Sequence, residues 1–98
     1  MVGIQDEFLP LSVIQGFPPV LAPEDALALI RRCREQQVRV LGIDGFHVFD
    51  QSQQPDMGES IDYSRPGDTV EDCWNAAEQF LSERMQSGLY FEVVTADQ

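Results

Sequence analysis

The residue types that carry most enzymatic chemistry are sparse in this chain. His47 is the one histidine, Cys33 and Cys73 are the two cysteines, and the sequence contains no lysine. A chain without lysine forms no Schiff base through a side-chain amine and cannot complete a Walker-type phosphate loop. None of its serines lies in a Gly-x-Ser-x-Gly nucleophile elbow. The side chains that remain candidates for catalysis or metal binding are therefore His47, the two thiols and the carboxylates.

His47 stands between apolar neighbours, with Asp44 and Asp50 each three residues away. In a β-strand, residues at odd spacing point to opposite faces, so neither aspartate is placed to orient His47 locally. General acid–base catalysis would need an acid that the fold brings from elsewhere. The pattern favours a structural or surface histidine, and a small enzyme that uses His47 is the lesser alternative.

Cys33 and Cys73 each occupy an apolar position of a predicted helix. A thiol buried in apolar surroundings is unreactive, so we predict two free, buried thiols and neither a disulfide nor a Cys–His catalytic pair. Asp6 and Glu7 stand where a secretory signal would be apolar, and prolines interrupt the longest uncharged run, residues 9–23. These features predict a cytoplasmic protein that is neither exported nor inserted in a membrane.

Carboxylates are plentiful, but their spacing does not suit a metal. A calcium loop alternates oxygen ligands around a glycine and closes with a glutamate, and residues 56–59 lack that alternation. Zinc would require more Cys and His ligands than the chain contains. We predict no metal site, no cofactor and no catalytic residues.

Charge is distributed unevenly along the chain. Residues 1–43 contain five acids and four arginines, whereas residues 44–98 contain twelve acids and two arginines. A one-sided acidic field repels nucleic acid and anionic lipid and steers basic partners toward the surface. We therefore predict a basic protein partner, with neither nucleic acid nor a membrane as a partner.

Apolar side chains interleave with the carboxylates of the acidic half. Charges speed an encounter, while a desolvated anchor holds the complex. The predicted protein-binding face, on one connected surface away from the arginines at 31, 32 and 34, consists of Asp50, Asp56, Met57, Glu59, Asp62 and Tyr63. Alternatively, these acids only solubilise loops and cap a helix.

The function predicted from these features is a non-catalytic acidic protein-binding module. Its leading instance is an inhibitor or immunity-type protein that neutralises a basic partner such as a nuclease toxin. That assignment rests on charge and size rather than on a motif. The alternative is a homodimeric structural or accessory subunit, because a core this small gains from association.

Two segments have the start and stop signals of α-helices. Pro23 suits a first helical turn, acids follow it, and arginines fill the last turns, so we predict a helix from Pro23 to Gln36 or Gln37. A second helix is predicted to begin after Thr69 or Asp68 with a capping box and to close at Gly88. Its apolar face comprises Val70, Cys73, Trp74, Ala77, Phe80, Leu81 and Met85.

Strand patterns occupy the segments between and after the helices. Residues 38–49 form either two strands joined by a turn at Asp44-Gly45 or, as the favoured interpretation, one long strand with a bulge and Gly45 left-handed. Residues 50–56 are predicted to be a loop, residues 61–63 a returning strand, and residues 89–94 a final strand. The helix before that strand is long enough for a crossover, which would place the strand parallel to its partner.

The predicted fold is one α+β domain over residues 1–98. Two helices pack on one face of a three- or four-stranded mixed sheet, in the order arm-α-β-β-α-β. The arm, residues 1–21, contains prolines and is predicted to be extended, with a short edge strand near residues 11–15. It is also a candidate cover for the second face of the sheet.

Overall fold

A computed structural model describes residues 3–49, 52–62 and 69–96, apart from the side chains of Ser52 and Met57. In chain order the elements are α1 (Ile4–Glu7), a short 3-10 helix (Leu9–Leu11), α2 (Pro23–Gln36), β1 (Val40–Phe49), β2 (Ser52–Asp62), α3 (Val70–Ser82) and β3 (Tyr90–Thr95). The sheet order is β2-β1-β3, and Leu21 adds a short antiparallel bridge to Phe91 on the far side of β3. The α+β fold with two main helices packed on the sheet is confirmed.

The predicted parallel pairing of the last strand is wrong. β3 pairs with β1 in the antiparallel sense, with Ile43 opposite Val93. β2 is also antiparallel to β1, so β2 and β3 run in the same direction with β1 between them. The β2–α3–β3 connection is therefore a crossover that skips one strand. β1 takes the centre of the sheet because it is the longest apolar run, and a central strand gains most from burial.

The N-terminal arm is more structured than predicted. Its first part is helical, and the edge pairing occurs at Leu21 rather than in residues 11–15. Leu21 N–H donates to Phe91 O at 2.8 Å, and Phe91 N–H donates to Leu21 O at 2.7 Å. The chain between the 3-10 helix and Leu21 forms a loop, which is closed by a hydrogen bond from Val13 N–H to Val20 O at 2.8 Å. Two prolines at 18 and 19 remove donors just before Leu21, so only a single bridge forms.

β1 is one long strand, as favoured, but its irregularity lies opposite Gly45 rather than in Gly45 itself. Asp44 pairs with Ser60 and Gly45 with Asp56, so three additional residues of β2, 57–59, bulge from the ladder. A Cβ on Gly45 would lie 2.9 Å from Glu59 O, so this position requires glycine for a close approach. Its φ is not positive, and the predicted left-handed conformation is wrong.

The predicted loop at 50–56 is also wrong over most of its length. Residues 52–56 are the first part of β2, while Asp50 and Gln51 lie outside the described residues. Pro55 is accommodated because β2 is an edge strand, where one side of the backbone needs no ladder donor. The polar composition of the segment reflects that edge rather than a turn.

The helix predictions are largely confirmed. α2 begins at Pro23 and ends before Gln37, whose φ of 58° is left-handed. Thr69 caps α3 by accepting a hydrogen bond from Asp72 N–H at 3.0 Å. α3 ends at Ser82, so Met85 lies beyond it and is 36% exposed instead of continuing the apolar face. Of the helices in the described residues, none has the length and apolar character needed to cross a bilayer.

The core forms where α2 and α3 pack on β1 and β3. Trp74, Phe80 and Leu81 are buried as predicted, and Cys33 and Cys73 are buried thiols that form no disulfide. Trp74 Nε1–H donates to Val38 O at 2.8 Å, which satisfies the one polar atom of its ring. The Phe80 ring meets Phe91 edge to face with centroids 5.8 Å apart. This packing fixes α3 over the centre of the sheet.

Candidate functional site

A cleft lies between the β1–β2 hairpin and the segment that follows α3. The last β1 residue that pairs with β3 is Phe46, so the end of the hairpin projects beyond β3. The cleft has a volume of about 520 Å³. We call it the α3–hairpin cleft; the residues that bear on its chemistry are His47, Asp56, Glu59, Glu83, Arg84 and Leu89.

The strand register brings His47 to a carboxylate that the sequence did not reveal. His47 pairs with Gln54, and Asp56 is two residues further along β2, so His47 and Asp56 lie on the same face. Their Nε2 and Oδ2 atoms are 3.0 Å apart. An ionised carboxylate only accepts hydrogen bonds, so Nε2 carries the proton. Asp56 Oδ1 also accepts from Gly58 N–H at 3.1 Å, and the carboxylate is thereby held in place.

Glu59 is directed into the cleft by the bulge in β2 and forms an ion pair with Arg84. The Arg84 guanidinium carbon lies 3.8 Å from the centroid of the Phe80 ring, and Nη1 donates to Phe80 O at 3.0 Å. A guanidinium held by a carboxylate, a carbonyl and an aromatic face has well-defined geometry. Arg84 was not among the predicted site residues. An arginine four residues after a core aromatic on a helix was the signal that could have identified this contact.

The cleft retains negative charge after these internal pairs form. It contains three carboxylates, Asp56, Glu59 and Glu83, against the single guanidinium of Arg84. Within the described ranges, Glu83 forms no ion pair and its side chain is exposed. With His47 neutral, two carboxylate charges are not balanced inside the cleft.

A second acidic surface lies on the sheet face opposite the helices. Asp44 of β1 stands directly opposite Glu92 of β3. Burial, together with the nearby Asp44 carboxylate, raises the pKa of Glu92 above its ordinary value. Asp62 pairs with Gly42, two residues from Asp44, and so belongs to the same face. We call Asp44, Asp62 and Glu92 the outer acidic surface.

The predicted binding face is thus distributed over two sides of the hairpin. Asp56 and Glu59 line the α3–hairpin cleft, whereas Asp62 lies on the outer acidic surface. Asp50 and Tyr63 lie outside the described residues, and so does the side chain of Met57. The anchor roles predicted for Met57 and Tyr63 stay predictions.

The arginines of α2 are engaged with acids other than those of the predicted face. Arg32 pairs with Glu7 at 2.9 Å and with Glu35 at 3.1 Å. Arg34 pairs with Glu78 at 3.3 Å, and its guanidinium carbon is 5.3 Å from the centroid of the Trp74 ring. These pairs connect α2 to α1 and α3, whereas Glu59 pairs with Arg84 and Asp56 bonds to His47.

In the described part of the chain, no three Cys, His, Asp or Glu side chains converge in an arrangement that could hold a metal ion. The polar groups that line the cleft include the carboxylates of Asp56, Glu59 and Glu83, the His47 ring and the Arg84 guanidinium. Comparison with protein-family models and with curated proteins finds no match for this chain.

Proposed function

We propose that this protein is a non-catalytic acidic binding module that captures a basic protein in the cytoplasm. Its leading form is an inhibitor or immunity-type protein that neutralises a partner such as a basic nuclease toxin. The observation that supports this proposal most is the separation of charge in the fold. Arg32 and Arg34 pair with Glu7, Glu35 and Glu78, away from the cleft and the outer acidic surface.

The edge of the sheet favours recognition by side chains over strand addition. β2 is the edge strand next to the cleft, and it contains Pro55 and a three-residue bulge. Proline and bulges are devices that prevent another strand from adding to an edge. A partner that approaches this side therefore meets the carboxylates of the hairpin instead of an open strand edge. Such charges raise association rates and select the sign of the partner.

Replacing three predicted acids with their amides tests the proposal. The variant Asp56→Asn, Glu59→Gln, Asp62→Asn should reduce the association rate with a basic nuclease about tenfold or more. Amides suit this test because a lysine at position 59 would face Arg84. The control variant Glu24→Gln, Glu71→Gln, Asp72→Asn removes the same charge from exposed positions at the beginning of α2 and α3. Association is measured by surface plasmon resonance over a panel of basic nucleases.

Equal slowing by both variants would show that only total charge matters and would contradict a specific acidic face. The fluorescence of Trp74, the single tryptophan, and circular dichroism verify that each variant keeps the fold. A nuclease that the native protein binds and inhibits in a one-to-one ratio supports the inhibitor form of the proposal.

The bond between His47 and Asp56 favours one alternative, a small enzyme. With its Nε2 proton held by a carboxylate, a neutral imidazole presents Nδ1 as a base. An enzyme that modified its partner would inactivate it at far below one equivalent, and His47→Ala would abolish this effect while binding persisted. Inhibition that requires a full equivalent and survives His47→Ala excludes this alternative.

Exposed apolar side chains favour the other alternative, a homodimeric accessory subunit. Leu11, Phe17 and Phe49 are 48%, 55% and 60% exposed. A dimer interface that covered these side chains would remove their apolar surface from water. Light scattering at micromolar concentration separates the alternatives, because the binding module is expected to be a monomer before it meets its partner.

A further inference from the structure

We propose that the α3–hairpin cleft holds one arginine side chain of the basic partner. This inference rests on the proposed function and adds the chemical group that the cleft recognises. The cleft is open at the surface, and its volume of about 520 Å³ admits a long side chain. One wall is the β1–β2 hairpin and the other is the segment that follows α3, and the cleft is already formed in the chain without a partner.

The charges available in the cleft suit a guanidinium. Arg84 already neutralises Glu59. Asp56 bonds to His47 and to Gly58 N–H but pairs with no guanidinium in the described residues, and Glu83 forms no ion pair there, so these two carboxylates carry the negative charge that an incoming cation would meet. A guanidinium is planar and presents five N–H donors, and it can therefore bond to carboxylates on two walls at once. A lysine ammonium is a compact, strongly hydrated charge that bridges separated carboxylates less well.

Two further features of the walls favour a cation with an apolar stem. The carbonyl end of α3, where the helix dipole is negative, lies directly before Glu83. Leu89 lines the cleft and is 7% exposed, and it offers an apolar contact for methylene groups. Arg84 shows the same chemistry within the chain, since its guanidinium rests on the Phe80 ring and pairs with a carboxylate.

His47 is the single histidine, so its ring signals report on the cleft without ambiguity. The probes are three capped tripeptides, Gly-Arg-Gly, Gly-Lys-Gly and Gly-citrulline-Gly; citrulline is a neutral analogue of arginine with nearly the same shape. NMR should show saturable shifts of the His47 ring signals with the arginine peptide. Binding of the lysine peptide should be about fivefold weaker, and the citrulline peptide should cause no saturable shift.

Single substitutions locate the interaction. Glu83→Gln should weaken binding of the arginine peptide about fivefold or more, because it removes a charge-assisted hydrogen bond. Glu71→Gln, which removes the same charge from an exposed position at the opposite end of α3, should leave it unchanged. Equal affinity for the arginine and lysine peptides, no shift of His47, or equal effects of the two substitutions would each overturn the inference.

The two proposals fail in different ways. Basic nucleases that bind the native protein and the Glu83→Gln variant equally well would leave the binding module intact and overturn the arginine cleft. Selective binding of the arginine peptide, with no basic protein bound at any salt concentration, would support the cleft and contradict the proposed function.

Discussion

Asp44 and Glu92 lie directly opposite each other on neighbouring strands, and each is partly buried. Like charges in this position destabilise a sheet. The folded chain keeps them, and burial and the Asp44 carboxylate raise the pKa of Glu92. We attribute this loss of stability to the proposed function, because capture of a basic partner requires a surface that stays negative.

The substitution Glu92→Gln should therefore stabilise the free protein at neutral pH, by about 0.5 kcal/mol. Because the folded-state pKa of Glu92 is raised, the native chain loses stability as pH rises from the ordinary glutamate range through that raised value. The gain from Glu92→Gln should be complete above this window and should vanish below it. Urea unfolding from pH 3 to pH 8 measures the difference.

A double-mutant cycle with Asp44→Asn identifies the cause of that gain. If repulsion between the two carboxylates contributes, the double variant should gain less than the sum of the single variants. Glu71→Gln, at the positive end of the α3 dipole, is the control and should give no gain. A stability difference that does not depend on pH would contradict this explanation of Glu92.

At the scale of elements, the β1–β2 hairpin determines where the site residues lie. The bulge at residues 57–59 directs Glu59 to Arg84, and the register of residues 52–56, before the bulge, aligns Asp56 with His47. Gly45 allows this arrangement because the β2 backbone approaches it closely. The hairpin is therefore both the edge of the sheet and one wall of the cleft.

The substitution Gly45→Ala should destabilise the protein by about 1–3 kcal/mol, because the new methyl group would lie 2.9 Å from the Glu59 carbonyl oxygen. The matched substitution is Gly58→Ala within the bulge, where the nearest atom is the Asp56 Oδ1 at 3.5 Å. Its cost should be clearly smaller. Chemical denaturation of both variants makes the comparison, and equal losses would show that the close approach at Gly45 does not determine the register.

The helices could be predicted from the sequence because their signals are local. Pro23 and Thr69 mark the first turns of α2 and α3, and the apolar spacing after them gives the buried faces. The hairpin could not be predicted in the same way. Its register includes a three-residue bulge in β2, and the sequence of that bulge has no distinct local pattern.

The same limit applies to the site. His47 and Asp56 are nine residues apart in sequence, and Glu59 and Arg84 are 25 apart, so only the strand register and the packing of α3 bring them together. From the sequence, the acids of the predicted binding face could be chosen by charge density alone. Their division between the cleft and the outer acidic surface follows from strand alternation once the register is known.

At the scale of the whole molecule, a net charge of -11 is carried mostly by the second half of the chain. In the fold, Arg32 and Arg34 of α2 pair with Glu7, Glu35 and Glu78 and not with Asp56 or Glu59 of the cleft. Exposed charge of one sign acts over about 8 Å at physiological ionic strength, which is enough to orient an approaching basic protein. Under the proposed function, the acidic half mainly raises the association rate, and the close contacts determine the residence time of the complex.

The dependence of the association rate on salt tests this claim most directly. Stopped-flow or surface plasmon measurements would follow a basic nuclease that the native protein binds, from about 20 mM to about 500 mM salt. We predict a steep fall in association rate, a dissociation rate that changes little, and a flatter salt dependence for Asp56→Asn, Glu59→Gln, Asp62→Asn than for the control variant. An association rate that ignores both salt and these three substitutions would contradict the account.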